Sequence, residues 1–128
     1  MTELMAIMVI IGILAAFVIP RFFDINVFQS RGTADQVNAA LRYGQKIAIA
    51  QRRNVSVTIT SASASSCGMT LIAGNVSCTI SNSMAVTPPL PQTVTFSALG
   101  QPVPNVASSF TVGTTNIIIE AETGYVHQ

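Results

Sequence analysis

MTELMAIMVIIGILAAFVIPRF, residues 1–22, decides how the rest of the chain is read. Glu3 stands at the edge of an apolar run, and no charged residue occurs between Leu4 and Pro20. The run is 17 residues long, at the lower limit for a helix that crosses a bilayer. A secretory signal would carry positive charge before the run and a small-residue cleavage site after it. Here Met-Thr-Glu precedes it and Pro-Arg-Phe-Phe-Asp follows, so a cut-down signal anchor is only the competing reading. A carboxylate beside hydrocarbon costs about 2–3 kcal/mol even on lenient insertion scales, and one kept there is usually functional and paired. Its partner must be a cation, and nearby the chain offers only an N-terminal amine.

At 128 residues the chain has room for one domain and little more. Hydrophobic residues make up 49% and charged residues 9%, a low charged share for a soluble domain. The excess is concentrated in residues 4–20, and the remainder is an ordinary Ser/Thr-rich chain. All six basic residues, Arg21, Arg31, Arg42, Lys46, Arg52 and Arg53, precede Asn54, after which the only acids are Glu120 and Glu122. The organisation is an apolar segment (1–20), a basic stem (21–53) and a faintly acidic head (54–128).

The run Glu3-Leu4-Met5-Ala6-Ile7-Met8-Val9-Ile10-Ile11-Gly12-Ile13-Leu14-Ala15-Ala16, followed by Ile19-Pro20-Arg21-Phe22, resembles the N-terminal helix of type IV pilins and type II secretion pseudopilins. The resemblance implies processing by a prepilin peptidase and N-methylation of the new terminus. In that family the glutamate sits two residues later in the mature chain than Glu3 does here. A leader, a cleavage glycine and two mature residues are therefore expected upstream. The resemblance also gives Glu3 a role, pairing with the N-terminal ammonium of a neighbouring subunit. In low dielectric an unpaired carboxylate is penalised, so such a pair enforces register more than it adds affinity. Residues 1–20 are then a filament-core helix that first anchors the subunit in the inner membrane, with the head in the periplasm.

Proline at position 20 removes a backbone donor, so a kink is expected at Pro20, with a second soft point at Gly12. Ala34, Val37, Leu41, Gly44 and Ala48 recur at helical spacing and predict a packing face, with Arg31, Asp35, Arg42 and Lys46 opposite. The helix is expected to end near Gln51 in a basic last turn, Arg52 and Arg53, which suits the helix dipole, with Asn54 as a stop. Beyond Asn54 the period becomes two. Strands are expected over 55–60, 69–73, 77–80, 93–96, 110–112, 116–121 and 125–127. Residues 61–66 and 99–105 are expected loops, and TPPLPQ (87–92) cannot be a central strand. Ile117-Ile118-Ile119, apolar on both faces, belongs centrally.

The expected fold class is α+β, a long N-terminal helix on a small antiparallel β-head, the pilin fold. ALRYGQKIAIAQRRNVSV (40–57), VTFSALGQP (94–102) and NIIIEAETGYV (116–126) resemble minor pilin heads of the GspH/FimT type. RFFDINVFQSRG (21–32) is also similar to MshC-like minor pilins of the mannose-sensitive haemagglutinin pilus. Cys67 and Cys78, an even pair outside the cytoplasm, suggest a disulfide worth roughly 2–3 kcal/mol, against a reading as two buried thiols.

One histidine, no Cys–His pairing and no Gly-rich phosphate loop argue against an enzyme, and no cofactor or metal is expected. Glu120 and Glu122 read as solubilising edge charges. Some FimT-type minor pilins bind DNA, which needs clustered Lys/Arg. The head after Arg53 has none, and only Arg42, Lys46, Arg52 and Arg53 on the stem offer a patch, so a DNA-binding minor pilin for DNA uptake is the alternative function and nucleic acid is not an expected partner. Expected partners are other pilins or pseudopilins of one filament, the inner membrane and the prepilin peptidase. Arg52 and Arg53 are the candidate interface residues.

Overall fold

The structure, a computed structural model, describes all residues except 19–24 and 64–65, together with the side chains of 18, 25, 66 and 68–70 left aside. Helix α1 spans Thr2–Val18 and α2 spans Ile25–Gln51. Nine strands follow: β1 (Val55–Ala62), β2 (Ser66–Ile72), β3 (Asn75–Ser81), β4 (Val86–Thr87), β5 (Gln92–Phe96), β6 (Pro102–Val103), β7 (Ser108–Val112), β8 (Thr115–Ile119) and β9 (Val126–His127).

The apolar run forms α1, and its described side chains are exposed apart from the half-buried Ala15. Seventeen residues at 1.5 Å each reach about 25 Å, short of a hydrocarbon core of about 30 Å. No helix among the described residues is long and apolar enough to cross a membrane. The helix runs unbroken through Gly12. The expected kink at Pro20 lies outside the described residues.

The strands form two sheets rather than one. A five-stranded sheet has the order β2-β3-β1-β5-β6, and a four-stranded sheet has the order β4-β7-β8-β9. The pairings are antiparallel except β1 with β3, which is parallel, Ile59 lying opposite Cys78. The β2–β3 hairpin causes this. The chain runs out along β1, back along β2 and out again, and β3 inserts between the two. Alternation along β1 buries Val55, Val57 and Ile59 and leaves the threonines half-exposed. Strand β8 is central in its sheet, with β7 and β9 on either side, and buries Ile117 and Ile119.

Helix α2 lies across both sheets, touching β1, β2, β3 and β5 of one and β7, β8 and β9 of the other. Its buried face is Ala34, Val37, Ala40, Leu41 and Ala48, and these join Phe96, Phe110 and Val126 in one core. Gly44 completes the face, because a Cβ there would lie 2.2 Å from Val57 Cγ2. The helix ends at Gln51, and the basic pair lies just beyond it rather than in its last turn. Arg52 takes φ 50°. The Arg53 amide donates to Ala48 O and the Arg52 amide to Ile49 O, each at 3.3 Å. That pattern is a Schellman cap, with arginine where glycine is the usual residue.

Candidate assembly surface

Glu3 occupies the first turn of α1, where a carboxylate is favoured by the helix dipole even without a partner. Among the described residues no cation stands within ion-pair distance of it. Intramolecular contacts therefore leave the carboxylate available to a group from outside the chain.

The cysteines are joined. Cys67 on β2 and Cys78 on β3 form a disulfide across the hairpin, with their Cα atoms 4.4 Å apart. The β2–β3 register shifts between Ser66 and Thr70, the stretch containing Cys67. Cys78 is fully buried against the core, so the bridge ties the outermost strand of the larger sheet to a strand under α2.

The two candidate interface arginines differ in what they do. The Arg53 guanidinium donates to Gly74 O, to Asn54 O at 3.4 Å and to Gln51 Oε1 at 2.7 Å. Gly74 is at the tip of the β2–β3 hairpin, so Arg53 clamps that hairpin to the end of α2. Arg52 is exposed, and among the described residues its side chain makes no hydrogen bond. Arg52 is thus the one of the pair that faces outward.

Arg42 is committed as well. Its Nε and Nη2 donate to Val126 O at 3.1 and 2.8 Å, and its guanidinium lies 5.8 Å from the centre of the Tyr125 ring. Gln45 donates from Nε2 to both Gly100 O and Thr123 O at 3.0 Å. These two α2 side chains pin the C-terminal segment to the helix, a role with no signature in the local sequence. The exposed flank of α2, from Asp35 through Asn38, Arg42 and Tyr43 to Lys46, borders an open groove of about 480 Å³. Buried Asn38 Oδ1 has no hydrogen-bond partner there among the described residues.

The lone histidine lies in β9, paired with Ile118, and its Nε2 is 3.0 Å from Glu120 Oε1 on an exposed surface. Glu120 is therefore a partner for His127 and not merely a solubilising edge charge. No group of three His, Cys, Asp or Glu side chains among the described residues could hold a metal ion.

No protein-family model matches the sequence, and no curated protein matches it either. Two crystal structures of the Pseudomonas aeruginosa type IV minor pilin FimU share its fold. One aligns over 76% of this chain and 90% of its own at a TM-score of 0.51 and 18% identity. The other aligns over 80% and 89% at a TM-score of 0.52 and 17% identity. At such identity the likeness bears on architecture: a helix laid on a β-rich head. The chain has the α+β fold of a type IV minor pilin.

Proposed function

We propose that the chain is a structural minor subunit of a type IV pilus or type II secretion pseudopilus, of the GspH/FimT type, assembled through its N-terminal helix. The observation that carries this reading is the contrast between α1 and the head. The head closes its own core around α2, while α1 keeps a nearly continuous apolar surface exposed. Apolar surface of that extent marks an interaction with a membrane or with other helices. In this reading α1 serves both in turn, in the inner membrane before assembly and in the filament core after it. The prepilin peptidase processes the full precursor, and the head faces the periplasm. The Cys67–Cys78 bridge fits an oxidising compartment.

Glu3 is the register device in this reading. Its replacement by glutamine removes a charge from the apolar boundary, so the subunit should still enter the membrane. Its incorporation should fall at least about tenfold, a pairing loss of 1.4 kcal/mol or more. The measurement is the amount of subunit in sheared filaments from cells expressing the full precursor with Glu3→Gln. Wild-type incorporation would remove the pairing role.

DNA binding is the weaker reading. Arg42 and Arg53 are engaged by backbone carbonyls, and from Asn54 to Ile119 the head carries no charged side chain. Phosphate recognition needs a cluster of free cations.

A further inference from the structure

The two sheets part along a seam that ends in an unsatisfied strand edge. In the β7–β8 hairpin, Val112 and Thr115 flank the two-residue turn Gly113-Thr114. In such a hairpin the flanking pair is hydrogen-bonded, and bonding then alternates along the strand. Val112, Phe110 and Ser108 therefore turn their backbone groups toward β8, while Gly113, Thr111 and Ser109 turn theirs toward β4. The other contacts agree. The Gly113 amide donates to Ala85 O at 2.9 Å, and Thr111 lies opposite Thr87.

The next partner on that side would be Pro89, but β4 stops at Thr87 and Pro88-Pro89 follow. Proline has no N–H to give, so the ladder ends there. No backbone hydrogen bond from this side reaches Ser109 among the described residues. Ser109 is exposed, and its amide and carbonyl face a groove of about 330 Å³.

The opposite wall of the groove is β6, the edge strand of the larger sheet at the end away from β2. The floor includes the buried Val94, Pro102 and Phe110, Gln92, Thr93 and Ser108 add polar groups to the lining, and Val106 stands exposed at the rim. No charged residue lines it. Exposed edges are normally guarded by lysine or another inward charge. This edge is guarded on the β6 side, by Pro102 and Pro104, and left open at β7.

We propose that this seam accepts an extended, uncharged strand from a partner chain, which pairs with β7 at Ser109 and lays alternate small apolar side chains on Val94 and Phe110. This is strand addition, in which the main chain supplies affinity and the floor supplies selectivity. The absence of lining charge sets the partner's chemistry, since a charged side chain would be desolvated there without compensation. That the partner is another subunit of the same filament rests on the reading above; the strand site itself does not.

The test uses the full chain in dodecyl maltoside micelles and a fluorescent, capped hexapeptide, acetyl-Ser-Val-Thr-Val-Thr-Ser-amide. Fluorescence anisotropy should show saturable binding, and exchange of the Ser109 amide hydrogen should slow at least tenfold on saturation. Ser109→Pro removes the Ser109 amide donor and leaves the β7–β8 bonds in place. It should weaken binding at least tenfold without lowering the thermal midpoint. Val106→Lys, at the rim, should weaken it too, and covers the case in which the proline variant fails to fold. Absence of saturable binding, unchanged affinity in the variant that folds, or equal affinity for a peptide with lysine at its two valines would each overturn the proposal. Glu3→Gln, which tests filament assembly, leaves this site untouched, so the two readings fail separately.

Discussion

Gly44 is the tightest point between α2 and the larger sheet. Its missing Cβ leaves room for the Val57 methyl, and Val76 Cγ2 is 3.8 Å from where that Cβ would be. Gly44→Ala should destabilise the head by about 1–3 kcal/mol, the usual range for overpacking a close-fitting core, even though alanine is the better helix former. Thermal unfolding followed by circular dichroism measures this, and an unchanged midpoint would mean that the helix moves away at little cost. Arg52 presents the opposite case. It holds a left-handed conformation that costs a residue with a Cβ about 1 kcal/mol. Arg52→Gly should therefore raise stability by up to about 1 kcal/mol in the same experiment. Spacing placed Gly44 on the buried face because helical period is a local property. Arg42 gave no such signal, since its carbonyl partner at Val126 is 84 residues away.

Among the elements, the β2–β3 hairpin depends most on covalent and polar fastening. Strand β2 is outermost in its sheet, and Leu71 and Ile72 near its end are exposed. It is held by the disulfide, by Arg53 at Gly74, and by Asn75 Oδ1 accepting from the Ser56 amide at 3.1 Å. Non-reducing mass analysis should find the chain two mass units lighter than after reduction, and neither thiol should alkylate without reductant. Reduction should cost about 2–3 kcal/mol by the loop-entropy estimate and loosen β2 first. Hydrogen exchange across β2 before and after reduction checks the order of loosening. The sequence showed where strands lie better than how they pair. Alternation of valine with serine or threonine reports which face is buried, and it is blind to the neighbour, so the parallel β1–β3 pairing was hidden. The stretch expected as a loop over 61–66 yields two residues to β1 and one to β2. Likewise the proline-rich 99–105 contains the two-residue β6, too short for any periodicity to register.

Across the whole molecule, charge is confined to few places. Stem residues 21–53 carry six basic and two acidic groups, whereas from Asn54 to Ile119 there is none. Among the described stem cations, Arg42 and Arg53 hold the head together, and Arg31, Lys46 and Arg52 remain exposed. In the proposed filament these three are the stem cations offered to a neighbouring subunit. Reversing them together to glutamate should reduce incorporation, and added salt should narrow the difference from wild type, because such fields are screened within about 8–10 Å at ordinary ionic strength. Arg53→Glu should act differently, lowering the stability of the head itself with little dependence on salt. Counting sheared filaments across salt concentrations, beside thermal unfolding of each variant, separates the two effects. A DNA mobility shift abolished by the triple reversal, with filaments intact, would instead favour a nucleic-acid role for the stem.

Among the described residues no strand is common to the two sheets, and α2 lies on both. A pull applied at the Ile25 end of α2 therefore enters the head along the helix axis. It meets every contact of the buried face at once, from Ala34 to Ala48, on two sheets side by side. That is a shearing load, in which many contacts must yield together, whereas a pull on a terminal strand would peel bonds away one at a time. A head built this way carries tension along its keel rather than through any one strand.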